Sequence, residues 1–178
     1  MKMENNNPLF GWSSVFSIYG IKDFLKDSLW PVALSIILTS LSYFTESDVY
    51  DIIGVVFSIG ISIIPVVLSL LIAAYAIVLS MFFSNKANFF TEDEYGRHLL
   101  SLINADFAMS IFVSLSSFVV LFVGNFIYKL SLTFVYGFYV NILVLFGIIY
   151  LIFFCFFILK DLVIGLYNVA QATINLPT

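Results

Sequence analysis

Residues 52–85 read IIGVVFSIGISIIPVVLSLLIAAYAIVLSMFFSN, 34 positions without a charge. A spanning helix needs about 20 apolar residues, and two spans with a turn need roughly 40 or more. Pro65 divides the run into pieces too short to cross separately, so the stretch predicts one helix. At ~1.5 Å per residue that helix is ~50 Å long, against a hydrocarbon core of ~30 Å. It has to tilt, kink or project. Pro65 removes one backbone hydrogen bond and is the hinge candidate.

Three further uncharged runs, 28–45, 107–128 and 130–159, are 18, 22 and 30 residues long. The whole chain of 178 residues is 62% apolar and 10% charged, with 21 phenylalanines. Soluble domains sit near ~45–50% apolar and ~25% charged, and a domain of this size cannot hide so much apolar surface. The expected fold is an all-α integral membrane protein: four transmembrane helices with helical cytoplasmic extensions. Residues 1–27 read as a cytoplasmic or interfacial N-terminal segment. Residues 28–161 read as the four-helix domain, with a hairpin extension around 84–106, and 162–178 as a C-terminal helical segment.

Lysine and arginine set the orientation. With four spans, Lys2, Lys22, Lys26, Lys86, Arg97 and Lys160 share one side and only Lys129 lies opposite. Both termini are expected in the cytoplasm. The first 27 residues lack an early apolar core, so the first span is expected to serve as the targeting signal. Tyr43, Tyr50, Tyr128, Tyr136 and Tyr139 gather near the opposite ends and read as an interfacial aromatic belt.

The cytoplasmic side carries the longer features. Residues 91–106, TEDEYGRHLLSLINAD, open with a capping-box spacing, Thr91 to Glu94, and acidic residues suit the positive helix N-terminus. A helix is expected from near Glu92 straight into the third span. With the overlong second span it forms a hairpin whose tip is Ser84–Phe90. Lys86, Glu92, Asp93, Glu94 and Arg97 are the candidates for binding a partner there. Beyond Lys160, the residues Asp161, Asn168, Gln171 and Asn175 form one narrow polar stripe on a helix that is otherwise apolar, and such a helix needs neighbours. Trp12, Val15, Phe16 and Tyr19 resemble one face of an interfacial helix. Asp27 or Ser28 is expected to cap the first span, with Pro31 in its first turn.

Spanning helices associate through small residues that permit close backbone approach. Gly54, Ser58 and Ser62 recur every four residues on span two, and span three offers Ser110, Ser114 and Ser117. These are the candidates for helix packing and self-association. Span four is rich in Phe (Phe146, Phe153, Phe154, Phe156, Phe157) and has no such stripe. Spans one to three are therefore expected in the packed interior and span four toward lipid.

Enzyme chemistry has little to stand on. The chain has one histidine, His98, and one cysteine, Cys155. No pair has metal-ligand spacing and no glycine-rich phosphate loop occurs, so no cofactor is expected. Net charge −4 offers no footprint for direct nucleic-acid binding. No Asp, Glu, Lys or Arg falls inside a span, which disfavours ion-coupled transport. Serine hydroxyls lining a pore remain the competing reading.

Four spans in so short a chain, minute external turns and the projection TEDEYGRHLLSLINAD together resemble the KwaA family, small membrane subunits of the bacterial Kiwa anti-phage defence system. The resemblance spans the whole chain and rests on layout. It implies a homo-tetrameric membrane sensor that detects phage attack at the envelope. It also implies a cytoplasmic DNA-binding effector partner of the KwaB kind, with lipid as the sensor's own surroundings. It assigns no individual contact residue. A pore-forming effector that kills the infected cell and a structural subunit of a membrane complex are the alternatives.

Overall fold

The computed structural model describes residues 15, 18–44, 48–82, 94–130 and 137–174. They form four helices: α1 Ile21–Tyr43, α2 Val49–Phe82, α3 Glu94–Lys129 and α4 Gly137–Ile174. All four are long and apolar enough to cross a membrane. The uncharged run containing Pro65 is a single helix, as its length requires. Asp48 starts that helix: its carboxylate accepts the Tyr50 N–H at 2.9 Å, and its carbonyl accepts Asp51 N–H at 3.0 Å. A short acid before a helix satisfies donors that have no partner within it. α3 is likewise continuous from Glu94, and α4 carries the fourth span and the C-terminal segment through to Ile174 as one helix.

α1 begins earlier than the sequence suggests. Its N-cap is Gly20, which supplies no side-chain cap, so neither Asp27 nor Ser28 starts it. Nothing in IKDFLKD breaks a helix, and the first turn extends back to Ile21. Pro31 thus lies in the helix interior rather than the first turn. Ser28 Oγ donates to Phe24 O at 2.8 Å and sits 3.1 Å from Tyr150 Oη on α4.

Neighbours run antiparallel. Phe24 meets Phe154, Ser28 meets Tyr150 and Tyr43 meets Phe138 along the α1–α4 seam. Tyr50 meets Tyr128 and Tyr75 meets Asn104 along α2–α3. α4 is the hub: it packs extensively on α1, α2 and α3, whereas α1 leans almost wholly on α4. This overturns the lipid-facing placement of span four. Phe154 and Cys155 are buried, and Leu145 is fully so. The reason is complementarity: the small residues of α1 and α3 leave hollows, and the large side chains of α4 fill them.

Toward the C-terminal end of α4, Leu162 and Leu166 pack with Val67, Leu71 and Val78 of α2 and Ile103 and Phe107 of α3. Leu162 and Leu166 therefore find partners within the chain, while Val163, Ile164 and Tyr167 stay exposed. Val15 and Tyr19 pack inward on Met109, Val113, Phe154 and Ile158. Trp12, Phe16, the Ser84–Phe90 tip, Thr91 and Asn175 lie outside the described residues, as do Lys86, Glu92 and Asp93.

Candidate functional site

Among the described residues the buried polar side chains carry hydroxyls: Ser28, Ser35, Thr39, Ser110, Ser114 and Ser117. Ser110 Oγ donates to Asp106 O at 2.6 Å, and Ser35 Oγ to Pro31 O at 2.6 Å. Ser69 repeats the second arrangement on α2, donating to Pro65 O at 2.8 Å. Each of these bonds runs back one helical turn, the usual way a serine satisfies itself in an apolar setting. Ser114 and Ser117 are different. Both are fully buried against the Cys155 thiol, and among the described residues neither hydroxyl reaches a partner in hydrogen-bond geometry. A thiol is a weak partner at best. Ser110, Ser114 and Ser117 therefore line the groove that receives α4, which makes them packing residues within the chain.

Gly54, Ser58 and Ser62 do not behave as one stripe. Gly54 lies beneath Tyr128, whose hydroxyl would stand 2.6 Å from a Cβ placed there. Ser58 and Ser62 point outward, and each donates to the backbone carbonyl four residues before it. The inward face of α2 instead runs through Ile53, Phe57, Gly60, Ile64, Val67 and Leu71. Gly60, which the four-residue stripe omits, is the buried glycine of this face, and an added Cβ would sit 2.7 Å from Leu121 Cδ1 and 3.0 Å from Ile152 Cδ1. In a run that is aliphatic at nearly every position, no spacing sets Gly60 apart from its neighbours. Ser58 and Ser62 are left on a shallow outer groove with Asp51, Asn125 and Lys129.

Pro65 lies midway along α2, where a spanning helix has no water to satisfy a freed carbonyl. The nearest buried residues before and after it, Ile64 and Val67, belong to two different apolar clusters. The hinge candidate thus sits at the junction between the two halves of the core.

Of the proposed partner-binding residues, Glu94 opens α3 and Arg97 follows in its first turn, exposed beside exposed His98. No group of three metal-capable side chains comes together among the described residues. Comparison with family models, curated proteins and solved structures finds no match for this chain.

Proposed function

We propose that this chain is a multi-pass protein of a bacterial inner membrane with both termini in the cytoplasm. In this reading it is a sensor or scaffold that passes a disturbance of the envelope to a cytoplasmic partner. The observation that carries the reading is helix length. α2, α3 and α4 have 34, 36 and 38 residues. At ~1.5 Å per residue they exceed a ~30 Å hydrocarbon core by roughly 20–27 Å each. Their antiparallel order brings the Lys160 end of α4 to the Arg97 end of α3, and the cation bias assigns that end to the cytoplasm. The surplus helix there is surface for a partner. The resemblance to KwaA proteins supplies its kind: a DNA-binding effector of an anti-phage system, engaged by a homo-tetramer. One protomer's core is filled by large side chains such as Phe107, Leu121 and Leu145, which favours a receptor over a pore within one chain.

A sensor needs two packings separated by a few kcal/mol. α2, hinged at Pro65, and continuous α3 are the elements whose tilt at membrane level would move the hairpin. Reversing Glu92, Asp93 and Glu94 to lysine together is expected to abolish co-purification with a KwaB-like companion. Membrane insertion and oligomer size should stay unchanged, and the unmodified protein should release no dye from liposomes. Retained binding removes the acidic docking surface; strong leakage supports the pore-forming effector instead.

Orientation has its own test. In a Cys155→Ser background, Asp48→Cys and Asn88→Cys are expected to react with an impermeant thiol reagent from opposite sides of the membrane. Reaction of both from outside overturns the topology.

A further inference from the structure

The outer groove of α2 and α3 extends from Asp51 to Ile63, ~18 Å of helix against a hydrocarbon core of ~30 Å. Asn125 and Lys129 stand on its α3 wall. Three of its polar side chains have no answer within the chain. Asp51 and Lys129 are both exposed, and among the described residues neither forms an ion pair. Asn125 is half-buried, and among the described residues its amide makes no hydrogen bond. That amide carries two N–H donors and an acceptor oxygen. At membrane depth an amide without partners is costly, and acyl chains offer it none.

Contacts between α2 and α3 fix the relative heights of these groups. Gly54 lies under the Tyr128 ring and Gly124 under the Phe57 ring. Lys129 therefore stands level with Ile53, ~3 Å from the height of Asp51, and Asn125 level with Val56, ~3 Å from the height of Ser58. A two-fold axis along the membrane normal keeps every residue at its height and lays α2 of one copy against α3 of the other. Asp51 then faces Lys129 of the partner subunit, and Ser58 faces Asn125 of the partner subunit, each contact being made twice. Ser58 Oγ already donates to Gly54 O at 3.0 Å, so its lone pairs remain to accept an amide N–H. Its small side chain also lets two helices close on each other. The patch is its own complement in both charge and hydrogen bonding.

We propose that this groove seats a second copy of the chain, in a two-fold pair held by reciprocal Asn125–Ser58 and Asp51–Lys129 contacts. The amide contacts, at membrane depth, carry the stability. The charge contacts lie at the helix ends, where they are screened, and select which faces meet. A homo-tetramer would be built from two such pairs. The inference rests on the membrane placement proposed above, because matched heights require a shared membrane normal, and it is independent of the defence role.

The test co-expresses two differently tagged full-length chains in a Cys155→Ser background, one with Asp51→Cys and one with Lys129→Cys. The mixed pair keeps one charge contact and both amide contacts. A short bis-maleimide is expected to link the two tags at least about fivefold more than when Tyr139→Cys replaces Asp51→Cys, a fivefold ratio being the worth of one interhelical hydrogen bond. Tyr139 is 81% exposed on α4, outside the groove. Energy transfer between labelled chains, diluted in vesicles of phosphatidylethanolamine and phosphatidylglycerol, gives the dissociation constant. Asn125→Leu is expected to raise it at least about fivefold. Its thermal midpoint should hold, since the amide bonds nothing in its own chain. Asp51→Lys should weaken pairing, and Lys129→Asp added to the same chain should restore it. Linkage no greater than the control, or an unchanged dissociation constant for Asn125→Leu, overturns the proposal. So does Asp51→Lys lowering the thermal midpoint with pairing intact, which assigns both charges to one chain. Alkaline washing of the same vesicles separates the two readings. A chain that washes off loses both its membrane placement and this pairing, whereas a chain that stays inserted as a monomer loses only the pairing.

Discussion

Phe154→Ala is expected to lower the stability of the bundle by ~2–3 kcal/mol, and Phe156→Ala, two residues on, to shift it by less than ~0.5 kcal/mol. Phe154 is 3% exposed; Phe156 is 39% exposed. The Phe154 ring stacks on Tyr150 at 5.4 Å and meets the edge of Phe24 at 5.2 Å, closing the α1–α4 seam. In water-soluble cores such a truncation costs ~3–5 kcal/mol, part of it transfer of the ring out of water. Lipid is as apolar as the core, so in a bilayer the transfer part fades and the cavity and lost contacts remain. Unfolding midpoints in detergent for the two variants give the comparison. Equal effects would return α4 to the lipid-facing position that its phenylalanines suggest.

The four helices were legible as charge-free runs, each long enough for one helix to cross a hydrocarbon core. The single helix through Pro65 and the continuous helix from Glu94 followed from length and from the absence of breakers. Which face of each helix turns inward was not legible. α2 is apolar all round, so hydrophobicity gives no direction. The stripe Gly54, Ser58, Ser62 then drew attention to a groove that is outward over two of its three residues. α4 was misplaced for a related reason. A small residue marks the receiving half of a contact, and the inserting half is a large residue such as Phe154 or Leu145. Small residues were counted as the whole interface, so the helix that inserts into three neighbours looked unpartnered.

The candidate docking site was legible only as a cluster in the sequence. Glu94 and Arg97 lie in the first turn of α3, while Lys86, Glu92 and Asp93 lie outside the described residues. Charge spacing marks where a helix can start, through the preference of acidic groups for its N-terminus, and carries no information on what the exposed side chains meet.

Gly60→Leu is expected to be among the most damaging single changes in the core, and Gly147→Leu to be neutral or stabilising. At Gly60 the added side chain meets Leu121, itself fully buried, and Ile152, 8% exposed, from two different helices. Neither can swing away, because each is enclosed by the cluster that holds Phe57, Ile64 and Leu145. Overpacking of this kind costs ~1–3 kcal/mol where the backbone can shift, and more where it cannot. Here three helices would have to separate together. Gly54 is a milder position, since a Cβ there meets one side chain, Tyr128, from one helix. At Gly147 an added Cβ meets nothing within 4 Å, and replacing a mid-helix glycine gains ~0.5–1 kcal/mol of helix propensity. Thermal midpoints measured by size-exclusion chromatography should fall for Gly60→Leu and hold or rise for Gly147→Leu. A stable Gly60→Leu variant would displace the α2–α3–α4 contact from the centre of the fold. A monodisperse but smaller Gly147→Leu particle would instead locate a contact between subunits on the open face of α4.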